Sequence, residues 1–385
     1  MEYYDPSAIS TRDGSLIIQL SQEENHGLDY KSGHLTSWNK LCLTGGYVEV
    51  NVSLPGPPSL AGFWPAVWMM GNLGRAGYGA TTEGLWPYSY DTCDWGTLPG
   101  QVFPSPTDPN AQPSAALTTG PGGGVLSGAP GQRFSACTCG NANDGDGPMG
   151  HPGPKRGDGF VGRMAPEIDI LEASSFNGIG TVSQSLQVAP FNAAYNWSQD
   201  SSDLSIYDST TILNSYKGGV YQESISAVSD TNQNGYESTG GYSTFGIEYE
   251  PGSDGYITWF SNGSPTWTVY PSAFGPDSQT NISQRLVSPE PMYLIMNLGY
   301  SHGFGAISPN LPFPATMSID YIRIYQNPSN SQNTQLSCNP PGYPTEQYIN
   351  DYIQIYTDPN ITSFSGTQAG SFGATVPKNR LVDTC

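Results

Sequence analysis

Basic residues are scarce in this sequence. Its 385 residues contain 13 Lys and Arg against 33 Asp and Glu, which gives a formal net charge of −20. A phosphate backbone is bound by clustered cations, so we predict no nucleic-acid partner. A run of about 18 apolar residues, the length of a membrane-spanning helix, is also missing. The first ten residues, MEYYDPSAIS, do not have the pattern of a signal peptide. We therefore expect a mature or trimmed domain that would reach a membrane only through a segment absent from this chain.

Long helical patterns are missing as well, whereas turn-forming and aromatic residues are abundant. The sequence has 47 Gly, 33 Pro, 24 Tyr, 13 Phe and 8 Trp. Alternating apolar and polar residues between turn formers predict strands at 15–20, 46–54, 181–189, 242–250, 255–263 and 317–325. Two more continuously apolar stretches, 63–71 and 292–300, predict central strands. The pattern indicates an all-β sandwich. The aromatic surplus suits a sugar binder, because aromatic faces stack on pyranose rings.

The strand pattern stops in two places. Residues 98–160 form a loop rich in Pro, Gly, Ser and Ala, and a loop of that length is either functional or disordered. The residues from Cys338 onward resemble an appendage more than a second core. We therefore predict one domain over residues 1–337 with an insertion at about 91–160. Residues 338–385 would form an extension packed on the same domain.

Cysteines and glycosylation sequons indicate the compartment. The sequence has six cysteines, an even number, and five Asn-X-Ser/Thr sequons, which begin at Asn51, Asn196, Asn262, Asn281 and Asn360. Together they predict a disulfide-bonded glycoprotein in the secretory lumen, at the plasma membrane or at the cell surface. Six cysteines allow many pairings. We predict a Cys338–Cys385 bond that closes the tail and a bond from Cys93 to Cys137 or Cys139, which leaves Cys42 unassigned.

Three carboxylates, Glu167, Asp169 and Glu172, lie close together in the apolar stretch GRMAPEIDILEA, residues 162–173. Side chains alternate along a strand, so Glu167 and Asp169 share a face and Glu172 points the other way. A one-residue bulge at positions 170–171 would return Glu172 to that face. The glutamates would then be roughly 13 Å apart at Cα, at about 3.3 Å per residue. Side chains that lean together reach the roughly 5 Å separation of a retaining glycosidase. A nearby negative charge would keep the acid protonated at neutral pH.

A divalent-metal site or an acidic surface strand would explain the same three carboxylates. The aromatic segments around them favour the glycosidase. Trp64 and Trp68 flank a proline in one apolar strand, so we expect at least one of them in the core. Trp86, beside a proline in a loop, is the better candidate for stacking on a sugar.

The segment EIDILE resembles the Glu-x-Asp-x-x-Glu signature of the laminarinase-like glycoside hydrolases of family 16, whose fold is a concave β-jelly roll. The segments GYVEVNVSLPG, GFWPAVWMMG, MNLGY and MSIDYIRIYQ resemble that family's strands, in order, from about residue 15 to 326. The segments SWNKLCLTGGYVEV, WPYSYDTCDWGTLPGQ, SACTCG and SQSLQVAPFN resemble one branch, the fungal β-glucan-synthesis-associated proteins of the Kre6/Skn1 type. This resemblance implies the luminal domain of a type II membrane protein needed for cell-wall β-1,6-glucan.

By motif position, the resemblance implies that Glu167 is the nucleophile, Asp169 the assisting acid and Glu172 the acid/base. It also implies substrate-binding residues, of which the tryptophans belong to the glycone side: Trp64, Trp68, Trp86, Tyr88, Gln184, Asn297, His302 and Phe304. Two departures affect specificity. Gly303-Phe304 replaces an Asn-Trp pair common among relatives, and Gln184 or Gln187 replaces a histidine on the strand after the catalytic one.

We therefore predict a retaining hydrolase or transglycosidase on β-1,3- and/or β-1,6-glucan, acting as a monomer without a required cofactor. Relatives often bind calcium on the convex face, where Asp320 would contribute to a structural Ca²⁺ site. The insertion begins just after Trp86 and ends just before the catalytic strand, so we expect it to wall one end of the cleft. The alternative is a lectin-like glucan binder or assembly factor without catalysis, because a fold does not guarantee chemistry.

Overall fold

The computed structural model describes residues 2–94, 131–140, 150–219, 221–278, 280, 282–330, 335–381 and 383–385. These residues are mostly strands: β1 (Glu2–Tyr4), β2 (Ile9–Arg12), β3 (Ser15–Leu20), β4 (Tyr30–Ser32), β5 (His34–Thr36), β6 (Cys42–Leu43), β7 (Gly46–Ser53), β8 (Phe63–Gly71), β9 (Lys155–Arg156), β10 (Gly159–Phe160), β11 (Glu167–Phe176), β12 (Ile179–Val188), β13 (Leu204–Ile206), β14 (Ile212–Leu213), β15 (Glu223–Asp230), β16 (Ser243–Glu250), β17 (Tyr256–Ser261), β18 (Ser264–Val269), β19 (Met292–Tyr300), β20 (Ala315–Tyr325), β21 (Ser363–Ser365) and β22 (Ser371–Ala374).

Helices in this part of the chain are short. They are α1 (Gly79–Thr82), α2 (Glu346–Asp351) and α3 (Ile353–Thr357), with 3-10 turns at Pro6–Ala8, Ala193–Tyr195, Glu237–Thr239, Pro271–Phe274 and Pro328–Asn330. None of the helices seen in the described ranges has both the length and the apolar character needed to cross a bilayer.

Two sheets of eight strands, counted over the described residues, form a β-sandwich. The inner sheet has the order β14-β15-β12-β11-β8-β19-β5, with β6 also paired to β19, and the outer sheet has the order β13-β18-β17-β16-β7-β20-β3-β2. Apolar side chains of both sheets make the main core between them, including Val50, Val67, Ile170, Trp259 and Leu294. The predicted all-β jelly-roll sandwich is confirmed, and all eight predicted strands are present with ends shifted by at most two residues.

The two continuously apolar strands, β8 and β19, are adjacent in the middle of the inner sheet. One face of each strand packs in the main core. On the other face, Met70, Tyr293 and Ile295 pack in a second apolar cluster. Since both faces are covered over much of their length, these strands need no polar face, which explains their continuous apolar sequence.

That second cluster joins the inner sheet to the insertion and the C-terminal extension. The insertion contributes Phe134, and the extension contributes Tyr348, Ile349, Ile355, Tyr356 and Phe364. The guanidinium of Arg163 also joins the three parts. Its Nη1 donates to the carbonyls of Gly153 in the insertion (2.9 Å) and Pro344 in the extension (2.7 Å), and its Nε donates to Glu290 (2.7 Å). The extension is therefore packed against the inner sheet.

Three disulfides link these parts: Cys42–Cys338, Cys93–Cys137 and Cys139–Cys385. The Cys93–Cys137 bond is one of the two predicted alternatives, and the disulfide attachment of the extension is confirmed. The predicted Cys338–Cys385 bond is wrong. The extension runs across the inner sheet, so its first cysteine meets β6 and its last cysteine meets the insertion.

Four of the five sequons lie in described residues. Asn196, Asn262 and Asn360 are exposed, and Asn51 is half-buried on the outer face of β7. Asn281 lies outside the described residues. Glycosylation at these positions stays a prediction.

Candidate active site

The three carboxylates lie on one strand of the inner sheet, β11. Asp169 is paired with Ser185 of β12, whereas Glu172 is paired with Ser183, so one extra residue is inserted in β11 between them. The register with β8 shifts at the same place. The predicted bulge is confirmed. It places Glu172 on the same face as Glu167 and Asp169, opposite Ile170 and Leu171 of the main core.

Each glutamate accepts a hydrogen bond from a tryptophan. The Trp86 Nε1 donates to Glu167 Oε2 (2.5 Å), and the Trp64 Nε1 donates to Glu172 Oε1 (2.9 Å). Both glutamates are half-buried. An indole N–H that supports one carboxyl oxygen fixes the rotamer and leaves the other oxygen for a substrate.

Asp169, between the two glutamates, is 1% exposed. Its Oδ2 accepts from the Ser185 hydroxyl (2.6 Å) and from the Gln187 amide (3.1 Å). Its backbone carbonyl accepts from the Trp259 indole (2.8 Å) of the outer sheet. These bonds hold Asp169 in place, where its charge acts on both glutamates.

Burial raises the pKa of all three carboxyls, and repulsion by neighbouring charges adds to this effect at Glu167 and Glu172. Burial raises the pKa of Glu172 to about 8, and the charge of Asp169 adds to that effect. Burial raises the pKa of Asp169 to about 6. The pKa of Glu167 is raised well above its ordinary value by burial and by the charges of Asp169 and Glu172. The group therefore titrates as a set and retains a proton at neutral pH, as a pair of nucleophile and general acid requires.

We expect the folded protein to lose stability as these carboxyls ionise. The pKa of Glu172 is about 8 in the folded state against 4.5 ordinarily, so the folded state binds more protons than the unfolded state between these values. The contribution of Glu172 to the free energy of unfolding is thus greatest below about pH 4.5, and it is lost as the pH rises through about 8.

Urea unfolding of the wild type and Glu172→Gln at several pH values across this window tests the prediction. The Gln variant should lose less unfolding free energy with rising pH than the wild type. Glu248→Gln, at an exposed position of the outer sheet, should keep the wild-type dependence. An identical pH dependence in the wild type and Glu172→Gln would contradict the proposed protonation.

Trp64 and Trp68 of β8, with Phe304, lie on the same face as the carboxylates. Trp64 and Trp68 share this face, because they are four positions apart on one strand. Both are half-buried. Neither is fully buried, but Trp68 packs against the second apolar cluster, so the expectation that at least one of them belongs to the core is met in part. Phe304 stacks on Trp64, with ring centroids 4.5 Å apart. Asn297 accepts from the Trp68 Nε1 (2.8 Å).

The other three predicted substrate-binding residues are Gln184, Tyr88 and His302. Gln184 is 1% exposed and faces the main core, where its amide donates to the carbonyls of Ile170 and Phe260 (3.1 Å each). Tyr88 is 0% exposed in a cluster with Met164 and Phe191. The Gln184 side chain faces away from the carboxylates, so that assignment is wrong. The role of the buried Tyr88 stays a prediction. His302 is exposed beyond the end of β19.

Three residues of the site, Ser185, Tyr4 and His34, were not singled out from the sequence, and Gln187 was named only as an alternative to Gln184. Ser185 and Gln187 contact Asp169, and alternation along β12 could have selected Gln187 over Gln184 once the pairing with β11 is known. Tyr4 and His34 stack at 5.4 Å, and the Tyr4 hydroxyl accepts from Asn297 (3.1 Å). Burial, and then the charge of Arg75, lower the pKa of His34 to about 4, so this imidazole is neutral at pH 7.

The second cluster borders the site on one side. Trp68 and Trp86 both pack against it, and its members include Phe134 of the insertion and Tyr356 of the extension. Thus residues of the insertion and the extension support the tryptophan that holds Glu167. The predicted wall also involves residues 95–130 and 141–149, which lie outside the described residues.

Asp320, the predicted calcium ligand, lies on the outer sheet away from the carboxylates. Its Oδ2 accepts from the Asn51 amide (3.0 Å). Over the described ranges, no three His, Cys, Asp or Glu side chains gather into a possible metal site. A structural calcium site at Asp320 stays a prediction, and we derive no role for a metal.

A family model described as "Beta-glucan synthesis-associated protein SKN1/KRE6/Sbg1" matches residues 1–385. KRE6 of Saccharomyces cerevisiae, a β-glucan synthesis-associated protein, is 41% identical over 393 residues, which covers 100% of this chain and 49% of that protein. SKN1 of Candida albicans is 40% identical over 388 residues, which covers 99% of this chain and 47% of that protein. The chain spans about half the length of these curated relatives. A laminarinase catalytic domain from Thermotoga petrophila RKU-1 is similar in structure, with a TM-score of 0.45, 18% identity and coverage of 85% of this chain and 83% of that one.

Proposed function

Because the chain belongs to the SKN1/KRE6/Sbg1 family of β-glucan synthesis-associated proteins, we propose that it is a retaining glycosidase or transglycosidase on β-glucan. One observation carries this proposal: Glu167 and Glu172 share a face of β11, each bound by its own tryptophan, with Asp169 between them. Two carboxyls on one face, one ionised and one protonated, are the groups that a double displacement needs.

In the first step, a free carboxylate oxygen of Glu167 attacks the anomeric carbon while the bond to the leaving oxygen breaks. The carboxyl of Glu172 gives its proton to that oxygen, and a glycosyl ester of Glu167 forms. In the second step, the Glu172 carboxylate takes a proton from water or from a sugar hydroxyl, whose oxygen attacks the same carbon and releases Glu167. Two inversions leave the β configuration unchanged.

The other residues of the site act on position and charge. Trp86 and Trp64 hold the two glutamates, and the charge of Asp169 helps to keep the proton on Glu172. The faces of Trp64 and Trp68, with Asn297, would hold the donor glucan on the β8 and β19 side of the carboxylates.

We place this activity in cell-wall β-glucan synthesis or remodelling, in the secretory lumen or at the cell surface. The three disulfides and the exposed sequons Asn196, Asn262 and Asn360 support an oxidising, extracytoplasmic compartment. The proposed acting species is the monomer, because the carboxylates and their tryptophans all come from one chain.

Incubation with linear β-1,3- and β-1,6-glucan oligosaccharides, followed by product sizing and NMR of the first-formed anomer, tests the proposal. We expect products from at least one of the two linkages, with the β anomer formed first. An α anomer formed first would contradict the double displacement. Oligosaccharide binding without any product would instead indicate a glucan-binding module.

A further inference from the structure

The inner sheet presents a continuous row of side chains through Glu172. Cα pairing across neighbouring strands puts Ala66, Asn297 and His34 on the β8–β19–β5 side of Glu172. On the opposite side the same row continues through Ser183, Val228 and Ile212. Directly paired residues point to the same face of a sheet. This row of side chains, here called the floor, therefore runs from one edge of the inner sheet to the other and passes through Glu172.

The two halves of this floor differ in chemistry. The β8–β19–β5 half carries the donor-side tryptophans and ends at Tyr4 and His34. The other half ends at the edge strand β14, roughly 14 Å from Glu172 at about 4.8 Å per strand. There Ile212 is 66% exposed and Tyr216, just past the strand, is 51% exposed. Large apolar side chains are thus exposed at the end of the floor that lies away from the donor-side tryptophans.

Tyr216 belongs to the segment that follows β14, and Glu172 is among the charges that act on its hydroxyl. Burial, and then the charge of Glu172, raise the pKa of its hydroxyl. Its backbone N–H donates to the side chain of Asn214 (3.0 Å), and the backbone N–H of Asn214 donates to Ser226 of β15 (2.9 Å). This segment is therefore attached to the inner sheet at the end of the floor that leads to β14.

Two buried polar atoms lie beside the row on this same half. The Ser226 hydroxyl and the Gln187 side-chain carbonyl belong to residues 1% and 7% exposed, and neither has a hydrogen-bond partner within the described residues. Both residues are paired in register with the carboxylate segment through β12. A buried polar atom without a partner is costly, and a bound hydroxyl group would satisfy it.

We propose that the β12–β15–β14 half of the inner sheet binds the acceptor, a second β-glucan chain, with Tyr216 and Ile212 as its apolar contacts. This inference rests on the proposed function and adds the substrate of its second step. The acceptor lies along Ser183 and Val228, and its reacting hydroxyl reaches the Glu172 carboxylate, which takes the proton as the new glycosidic bond forms.

An acceptor site of this kind decides between transfer and hydrolysis. The glycosyl ester of Glu167 reacts with whichever hydroxyl is held in line, and a positioned sugar hydroxyl gains a high effective concentration over bulk water. The open edge at β14 allows a long acceptor chain to leave the cleft without meeting the second cluster, which borders the cleft at Trp68 and Trp86.

The test measures transfer and hydrolysis products together, by mass spectrometry, as the concentration of a β-1,3-glucan oligosaccharide acceptor is raised. Tyr216→Ala removes the ring, and Ile212→Thr removes apolar surface while it keeps a β-branched residue in the strand. For Tyr216→Ala we expect the acceptor concentration for half-maximal transfer to rise about tenfold. The ratio of transfer to hydrolysis product should fall in both variants.

Tyr325→Ala is the matched control, because Tyr325 is 50% exposed on the outer sheet and has no part in the site. It should keep both products at the wild-type level. An acceptor dependence of Tyr216→Ala that equals that of Tyr325→Ala would overturn the acceptor site, as would an equal fall of both products. A wild type that cleaves no β-glucan would refute the proposed function first, and the acceptor site would fall with it.

Discussion

Glu167→Gln is expected to lower turnover of a β-glucan about 10⁴-fold or more, the scale of losing a covalent nucleophile. The amide of glutamine is nearly the same size as the carboxyl and keeps an oxygen for the Trp86 indole. It cannot form the glycosyl ester. Since the change removes one of three mutually repelling carboxyls, the fold should be as stable as the wild type or more so.

Two measurements separate a lost nucleophile from a damaged protein. The temperature of unfolding of Glu167→Gln should not fall, and binding of a β-glucan oligosaccharide should persist in calorimetry. Glu248→Gln, the same substitution at an exposed outer-sheet position, should retain wild-type turnover. If Glu167→Gln retained wild-type turnover on a glucan that the protein cleaves, Glu167 would not be the nucleophile.

Glu172→Ala is expected to lose nearly all activity on a natural glucan, about 10²–10⁴-fold for the loss of a positioned general acid. The leaving sugar oxygen needs a proton as its bond breaks. A donor with an acidic leaving group, such as an activated aryl glycoside, does not need that proton, so it should still form the glycosyl ester.

The second step then lacks its base, so the ester should accumulate or react with an added anion that needs no deprotonation. We expect azide to restore turnover of the activated donor in Glu172→Ala and to yield a β-glycosyl azide. The pH dependence gives a second readout. Activity on the natural glucan should fall in the wild type as the pH rises through about 8, where Glu172 loses its proton. Equal losses on both donors without azide rescue would argue against Glu172 as the acid/base.

The strands and the bulge could be predicted because both depend on local sequence. Alternation and turn formers define the strands, and three carboxylates can share one face only if one residue of β11 is extra. The bulge was therefore predictable from Glu167, Asp169 and Glu172 alone. The same parity places Trp64 and Trp68 on one face of β8.

The errors concern contacts between distant parts of the chain. The Cys338–Cys385 prediction treated the extension as a closed loop, whereas a second apolar cluster draws it across the inner sheet to Cys42 and Cys139. Tyr4 and His34 reach the site through the pairing of β1 with β4 and of β5 with β19. No local pattern in the sequence encodes those pairings. Which of Gln184 and Gln187 faces Asp169 likewise depends on the register between β11 and β12.

The central claim is a covalent intermediate on Glu167, and the mass of the intact protein tests it most directly. A β-glucan oligosaccharide donor with fluorine at C2 and a good leaving group slows the second step more than the first, so the ester should accumulate. We predict that one glycosyl mass is added to the wild type, that peptide fragmentation places it on Glu167, and that Glu167→Gln gains none. An adduct on another residue, or turnover of the donor without any adduct and with an inverted product, would contradict the account.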